Sequence, residues 1–192
     1  MSDYIVVDDF IPVSLQNEIK HFLLESQNFP WYFNPDLTYG KDGDESKRTP
    51  GNAHVFRNEC VTNSPSWNVV SPLAHIAAEK FGRPYVDVLT CRTFLQFPLN
   101  VDLETTSLHV DLPVPHWVLL YYVNDSDAET ILVNKTYEIG TEMEFGCAVE
   151  DYDILLSVKP KQGRALMFDG KYFHAHQIVK SGVRCAINFN ML

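Results

Sequence analysis

The chain has 192 residues, 45% of them hydrophobic, and a formal net charge of −10. That composition suits one folded domain with a sizeable core and excludes a disordered chain. The acidic balance weighs against a broad nucleic-acid-binding face, which is ordinarily basic, and no apolar run reaches the roughly 20 residues that span a bilayer.

The opening M-S-D-Y-I-V-V-D-D-F has neither a basic leader nor a cleavage site, so a cytoplasmic location is expected. Tyr4–Val7 reads as a short strand. Asp8-Asp9-Phe10-Ile11-Pro12 then leads into a helix from Val13 or Ser14 to about Ser26, with Leu15, Ile19, Phe22 and Leu23 on one stripe. Phe29-Pro30-Trp31-Tyr32-Phe33 is dense in aromatics and precedes a polar loop, 40–51. Together they read as a core edge beside an insertion, or as a lip over a binding site. His54-Val55-Phe56 reads as a strand, and a second helix is expected from about Ser66 to Phe81, stopped by Gly82 and Pro84.

From Tyr85 the pattern changes to short β-prone runs: Tyr85–Phe97, His116–Asn124, Thr130–Asn134, Lys135–Phe145, Ile154–Val158, Arg164–Phe168, Phe173–Val179 and Arg184–Asn190. Strands without intervening helices predict a mainly β jelly roll, with the two helices covering one outer face of its larger sheet. The chain reads as a single domain, 1–192, with a helical buttress and lip (1–84) and a jelly-roll core (85–192). Cys60, Cys91, Cys147 and Cys185 show no C-x-x-C spacing, which argues against a zinc ribbon or a disulfide scaffold. Cys91 and Cys185 lie in apolar runs and read as buried thiols in a reducing compartment. His21, His54 and His75 read as structural. The segment from Asp125 to Thr130 lacks the glycine and terminal glutamate of a calcium loop and reads as a solvated turn.

The chemistry concentrates in two stretches. His109 and Asp111 sit two apart, so in extended backbone both side chains leave the same face. F-D-G-K-Y-F-H-A-H-Q, 168–177, offers two more imidazoles, His174 and its rival His176. Arg184 follows in an otherwise apolar run, where a guanidinium without an anion is costly. Two imidazoles and one carboxylate form the set that holds non-haem Fe(II) with positions left open, and Zn²⁺ accepts the same ligands. An H-x-D pair alone arises often by chance. Its other reading is a polar strand end closed by a side-chain hydrogen bond.

The ordered set resembles the 2-oxoglutarate/Fe(II)-dependent oxygenase superfamily, and more narrowly its prolyl-4-hydroxylase-like branch. The residues that carry the resemblance are His109-x-Asp111, Tyr121-Tyr122-Val123-Asn124, Phe168-Asp169-Gly170, His174 and Arg184. The resemblance implies a double-stranded β-helix, cupin-like in outline. It also implies a dioxygenase that takes Fe(II), 2-oxoglutarate and O2, with ascorbate as an optional reductant, and hydroxylates a second substrate. His109, Asp111 and His174 would then be both catalytic residues and metal ligands. The family's gaps from F-D-G and to the basic residue favour His174 over His176. Arg184 would grip the distal carboxylate of 2-oxoglutarate and Tyr122 would add a phenol hydrogen bond; members of the branch with lysine at the basic position depart from this chain. Arg92, Phe94 and Gln96 share a strand face, and Gln96 and Asn188 are further pocket candidates. A prolyl or other peptide side chain is the first expectation for the primary substrate. The alternatives are a nucleobase or nucleic-acid oxygenase entered past Lys41, Lys47 and Arg48, and a jelly-roll binding module without catalysis. Neither nucleic acid nor membrane is an expected partner.

Overall fold

The computed structural model describes residues 3–37, 48–82, 87–142, 144 and 147–192. The strands are β1 (Tyr4–Val7), β2 (Tyr32–Asn34), β3 (Gly51–Asn58), β4 (Val61–Thr62), β5 (Val88–Gln96), β6 (Trp117–Tyr122), β7 (Thr130–Thr136), β8 (Ile154–Val158), β9 (Ala165–Asp169), β10 (Tyr172–His176) and β11 (Arg184–Met191). The α-helices are α1 (Val13–Lys20), α2 (Trp67–Val70) and α3 (Pro72–Lys80). The larger sheet runs β1-β9-β6-β11-β5-β3-β2, with β4 on β3. The smaller runs β10-β7-β8, and every pairing is antiparallel.

Strand β6 shows how the layers form. Successive side chains point to opposite faces. Leu119 and Tyr121 pack with Phe10, Ile19, Leu23 and Leu73 under the helices. Val118, Leu120 and Tyr122 instead join Leu132 of β7 and Val158 of β8 between the sheets. With both faces covered, the strand is a continuous apolar run instead of an alternating one. A third cluster, built around Leu108, Val133, Val149 and Phe173, closes the outer side of the smaller sheet. The chain thus forms the expected mainly β jelly roll with helices on one face.

Several local expectations change. The first helix is α-helical only to Lys20, and His21–Glu25 continue as one wider π turn. Leu15 is exposed and Gln16 is buried in its place. The Gln16 amide donates to the Ile11 carbonyl (2.9 Å) and lies on Gly163, where a Cβ would fall 2.2 Å from it. The second helix divides at Ser71 because Pro72 has no N–H to continue the ladder. It ends at Gly82, whose φ of +60° suits glycine. The runs 130–134 and 135–145 are not two strands. Residues 130–136 are the single strand β7, and the chain then turns away. Lys135 stays in that strand because its ammonium lies 4.8 Å from both the Tyr152 and Phe173 ring centres. Tyr32 and Phe33 form a short, exposed edge strand. Most of the polar loop, including Lys41 and Lys47, lies outside the described residues, as do Pro84, Tyr85 and Phe145. All four cysteines are free, with Cys91 and Cys185 buried. Among the described residues, no helix is long and apolar enough to cross a membrane.

Candidate active site

His109 and His174 come together through the backbone. Their segments form an isolated antiparallel bridge, with His109 N–H donating to the His174 carbonyl (3.0 Å) and His174 N–H to the His109 carbonyl (2.9 Å). Directly opposed residues place their side chains on the same face, and the two rings lie 4.4 Å apart between centres, their planes tilted by 50°. Asp111, two residues on, completes the group: its Oδ1 lies 3.8 Å from Nε2 of each histidine. One ligand atom from each of the three falls within 4.8 Å of the others. The structure thus brings together His109, Asp111 and His174, the first and last of which are 65 residues apart in the sequence.

The surroundings aim these atoms inward. His109 Nδ1 faces the Ser107 carbonyl at 3.1 Å and His174 Nδ1 the Tyr172 carbonyl at 3.4 Å. Each ring therefore directs its proton to a carbonyl and turns Nε2 toward Asp111. Asn188 donates its amide to Asp111 Oδ2 (3.0 Å), leaving Oδ1 for the histidines. Burial works against ionisation of Asp111, but His174, His109 and the Asn188 amide outweigh it and hold the carboxyl below its ordinary range. Burial, with the neighbouring His109, lowers His174 to about 4, which keeps its lone pair available at neutral pH. The F-D-G turn contributes by omission. A Cβ on Gly170 would stand 2.2 Å from Nε2 of the buried His116, so glycine lets that ring pack under the site.

A cavity of about 320 Å³ opens from this cluster, and Arg184 lines it too. Arg184 is 4% exposed. It donates to Gln96 Oε1 (2.8 Å) and Thr130 Oγ1 (2.9 Å), both neutral, and no carboxylate pairs with it among the described residues. Burial alone lowers its pKa. His176 does not join the triad. Its Nε2 lies 2.6 Å from the Gln96 amide nitrogen and its Nδ1 2.8 Å from the Gln177 carbonyl. Burial, then the Arg184 charge, keeps it neutral, so it accepts from Gln96 and props the amide that Arg184 uses. Tyr122 donates to Thr130 Oγ1 (2.8 Å), with Arg184 5.7 Å above its ring. It thus stands behind Thr130 and does not line the cavity. Thr130 and His116 were not found from the sequence. Each matters through partners distant in the chain, such as the Thr130–His176 register, and carries no local signal. The pocket candidates Gln96 and Asn188 line the cavity, and Arg92 and Phe94, on the same strand face as Gln96, line it with them.

No protein-family model and no curated protein matches the sequence. Solved structures do match. A 2OG-Fe(II) oxygenase-family oxidoreductase from Burkholderia pseudomallei superposes with a TM-score of 0.67 at 12% identity, over 98% of this chain and 85% of that one. A prolyl hydroxylase from Trichoplax adhaerens, in complex with a hypoxia inducible factor oxygen degradation domain peptide fragment, gives 0.63 at 10% identity, covering 98% and 83%. A Pseudomonas putida prolyl-4-hydroxylase gives 0.59 at 9% identity, covering 98% and 92%. At these identities the likeness is one of fold. The chain has the double-stranded β-helix of the 2-oxoglutarate/Fe(II) oxygenases, prolyl hydroxylases among them.

Proposed function

We propose that this chain is a 2-oxoglutarate- and Fe(II)-dependent dioxygenase that hydroxylates a C–H bond of a second substrate. The observation that carries the reading is Arg184: a buried guanidinium with only neutral partners, in the same cavity as a His-Asp-His cluster. Burying a cation without an anion costs several kcal/mol, so the arrangement calls for an anionic ligand. His109, Asp111 and His174 fit Fe(II), because imidazole and carboxylate suit it and three protein ligands leave positions open. Fe(II) held there supplies the oxidising chemistry, in which O2 and 2-oxoglutarate become succinate and CO2 and the substrate gains a hydroxyl.

The remaining work falls to the protein. Arg184 presents a planar fork suited to a carboxylate. Thr130 already accepts from Tyr122 and Arg184, so its own proton is left to donate toward the same anion. Phe94, Leu120 and Ala186 line the wall between the two ends and exclude water there. Asn188 keeps Asp111 oriented. A peptide side chain, prolyl among them, is the finer reading of the substrate. It is supported by the fold shared with the Trichoplax enzyme, whose structure contains a peptide.

Anaerobic addition of Fe(II) and 2-oxoglutarate tests the reading. A weak visible charge-transfer band is expected, lost in His109→Ala; a band that survives that substitution, or no band in the native protein, overturns the reading.

A further inference from the structure

The cavity wall formed by β5 and β11 is built of four cross-strand pairs: Arg184–Gln96, Ala186–Phe94, Asn188–Arg92 and Asn190–Thr90. All eight residues line the cavity. The Arg184 end is polar, the middle is apolar, and the end beside Asp111 is polar again. Asn188 and Asn190 stand there, 8% and 5% exposed. Each commits its amide nitrogen to the protein: Asn188 to Asp111 Oδ2 (3.0 Å), Asn190 to Thr90 Oγ1 (2.9 Å). Each leaves its amide oxygen buried with no hydrogen-bond partner. The Asn188 orientation follows from chemistry, since only the amide nitrogen can donate to an ionised carboxylate. Buried acceptors are costly unless a donor meets them, and two on one strand face define a ligand that donates.

We propose that the primary substrate is an amino-acid unit whose N–H groups donate to Asn188 Oδ1 and Asn190 Oδ1, with its carboxylate or carbonyl turned toward Arg92. This rests on the oxygenase reading and names the substrate class of that same site. The contact sets specificity: Asn188 already touches the metal-binding carboxylate, so a substrate held by its oxygen is held beside the metal. Phe94 is the one phenylalanine, tyrosine or tryptophan among the described residues lining the cavity. A nucleobase sandwiched between aromatic rings is therefore not what this wall fits. A prolyl residue inside a peptide has no N–H of its own. A peptide would have to offer a flanking amide, whereas a free amino acid offers its ammonium.

The test is anaerobic calorimetry on the protein loaded with Mn(II) and 2-oxoglutarate. Three probe sets are titrated: free L-amino acids, the same residues as N-acetyl methylamides, and nitrogen-free carboxylic acids of matching skeleton. A probe bearing N–H is expected to bind at least about tenfold tighter than its nitrogen-free counterpart. Asn190→Leu, which keeps the shape and removes the acceptor, should shrink that gap to roughly twofold. Should the leucine variant fail to fold, Asn190→Asp serves: it keeps an acceptor, adds charge, and should favour ammonium probes over capped ones. Tight binding by the free set assigns the ammonium, and by the capped set the peptide amide. Equal binding of the nitrogen-free acids, a gap unchanged in Asn190→Leu, no gain of ammonium over capped probes in Asn190→Asp, or no probe binding to protein that holds 2-oxoglutarate would each overturn the proposal. Failure of 2-oxoglutarate itself to bind is seen before any probe is added; it refutes the oxygenase reading and this inference with it.

Discussion

Arg184→Met separates a ligand-binding arginine from a structural one. In the native chain the guanidinium is buried and gives hydrogen bonds to Gln96 and Thr130. Losing two hydrogen bonds made by a charged donor removes about 1.5–3 kcal/mol each. Removing a buried cation that has no acid beside it returns several kcal/mol of desolvation. Methionine fills much of the same volume, and Thr130 keeps the hydroxyl of Tyr122. The two effects nearly cancel, so the ligand-free variant should lie within about 2 kcal/mol of the native protein. For a chain of this length that is a Tm change of less than about 8 °C in either direction. Binding of a dicarboxylate should behave differently. Truncating one partner of a buried charge pair costs about 2–5 kcal/mol, or roughly 30- to 5000-fold in Kd. Differential scanning calorimetry of the ligand-free proteins and anaerobic titration of 2-oxoglutarate into Mn(II)-loaded samples measure both quantities. A large fall in Tm together with unchanged 2-oxoglutarate affinity would show that Arg184 is a structural element and refute the reasoning.

Two further outcomes follow from neighbouring contacts. His176→Phe removes the acceptor for Gln96 but no ligand; metal stoichiometry should stay at one while 2-oxoglutarate binds roughly tenfold more weakly, and loss of the metal would instead place His176 in the triad. Asp8 pairs with Arg164 through two contacts (2.6 and 3.0 Å), and the guanidinium holds its carboxyl below the ordinary value near 3.8. A depressed folded-state pKa gives stability that is present above the unfolded value and lost as pH falls through the folded one. Denaturant melts should therefore show native protein ahead of Asp8→Asn by up to about 1 kcal/mol at pH 7, since the pair is partly exposed. The difference should fade as pH falls below 3.8 and through the depressed folded value; one that grows with acid would contradict the pairing.

What the sequence made legible depended on how local the signal was. The jelly roll was readable because strands such as β6 are short apolar runs between turn residues. His109, Asp111, His174 and Arg184 were readable because each sits in a recognisable local setting. Their geometry was not: His174 is chosen over His176 by the bridge that opposes it to His109, a pairing across 65 residues. Arg184 was expected to need an anion, but its two neutral partners arise from cross-strand register with Gln96 and from β7. Hydrophobic periodicity misplaced Leu15 and Gln16, because a glutamine whose amide is fully engaged buries as readily as a leucine. It also split β7 at Asn134-Lys135, where two aromatic rings admit an ammonium into a strand.

The central claim is that one metal ion and one dicarboxylate share the cavity between His109 and Arg184. An anaerobic crystal structure with Mn(II) and 2-oxoglutarate measures this directly. The ion should lie about 2.1 Å from Nε2 of His109, Oδ1 of Asp111 and Nε2 of His174, with the distal carboxylate on Arg184 and Thr130. A metal bound elsewhere, or a co-substrate whose distal carboxylate avoids Arg184, would contradict it.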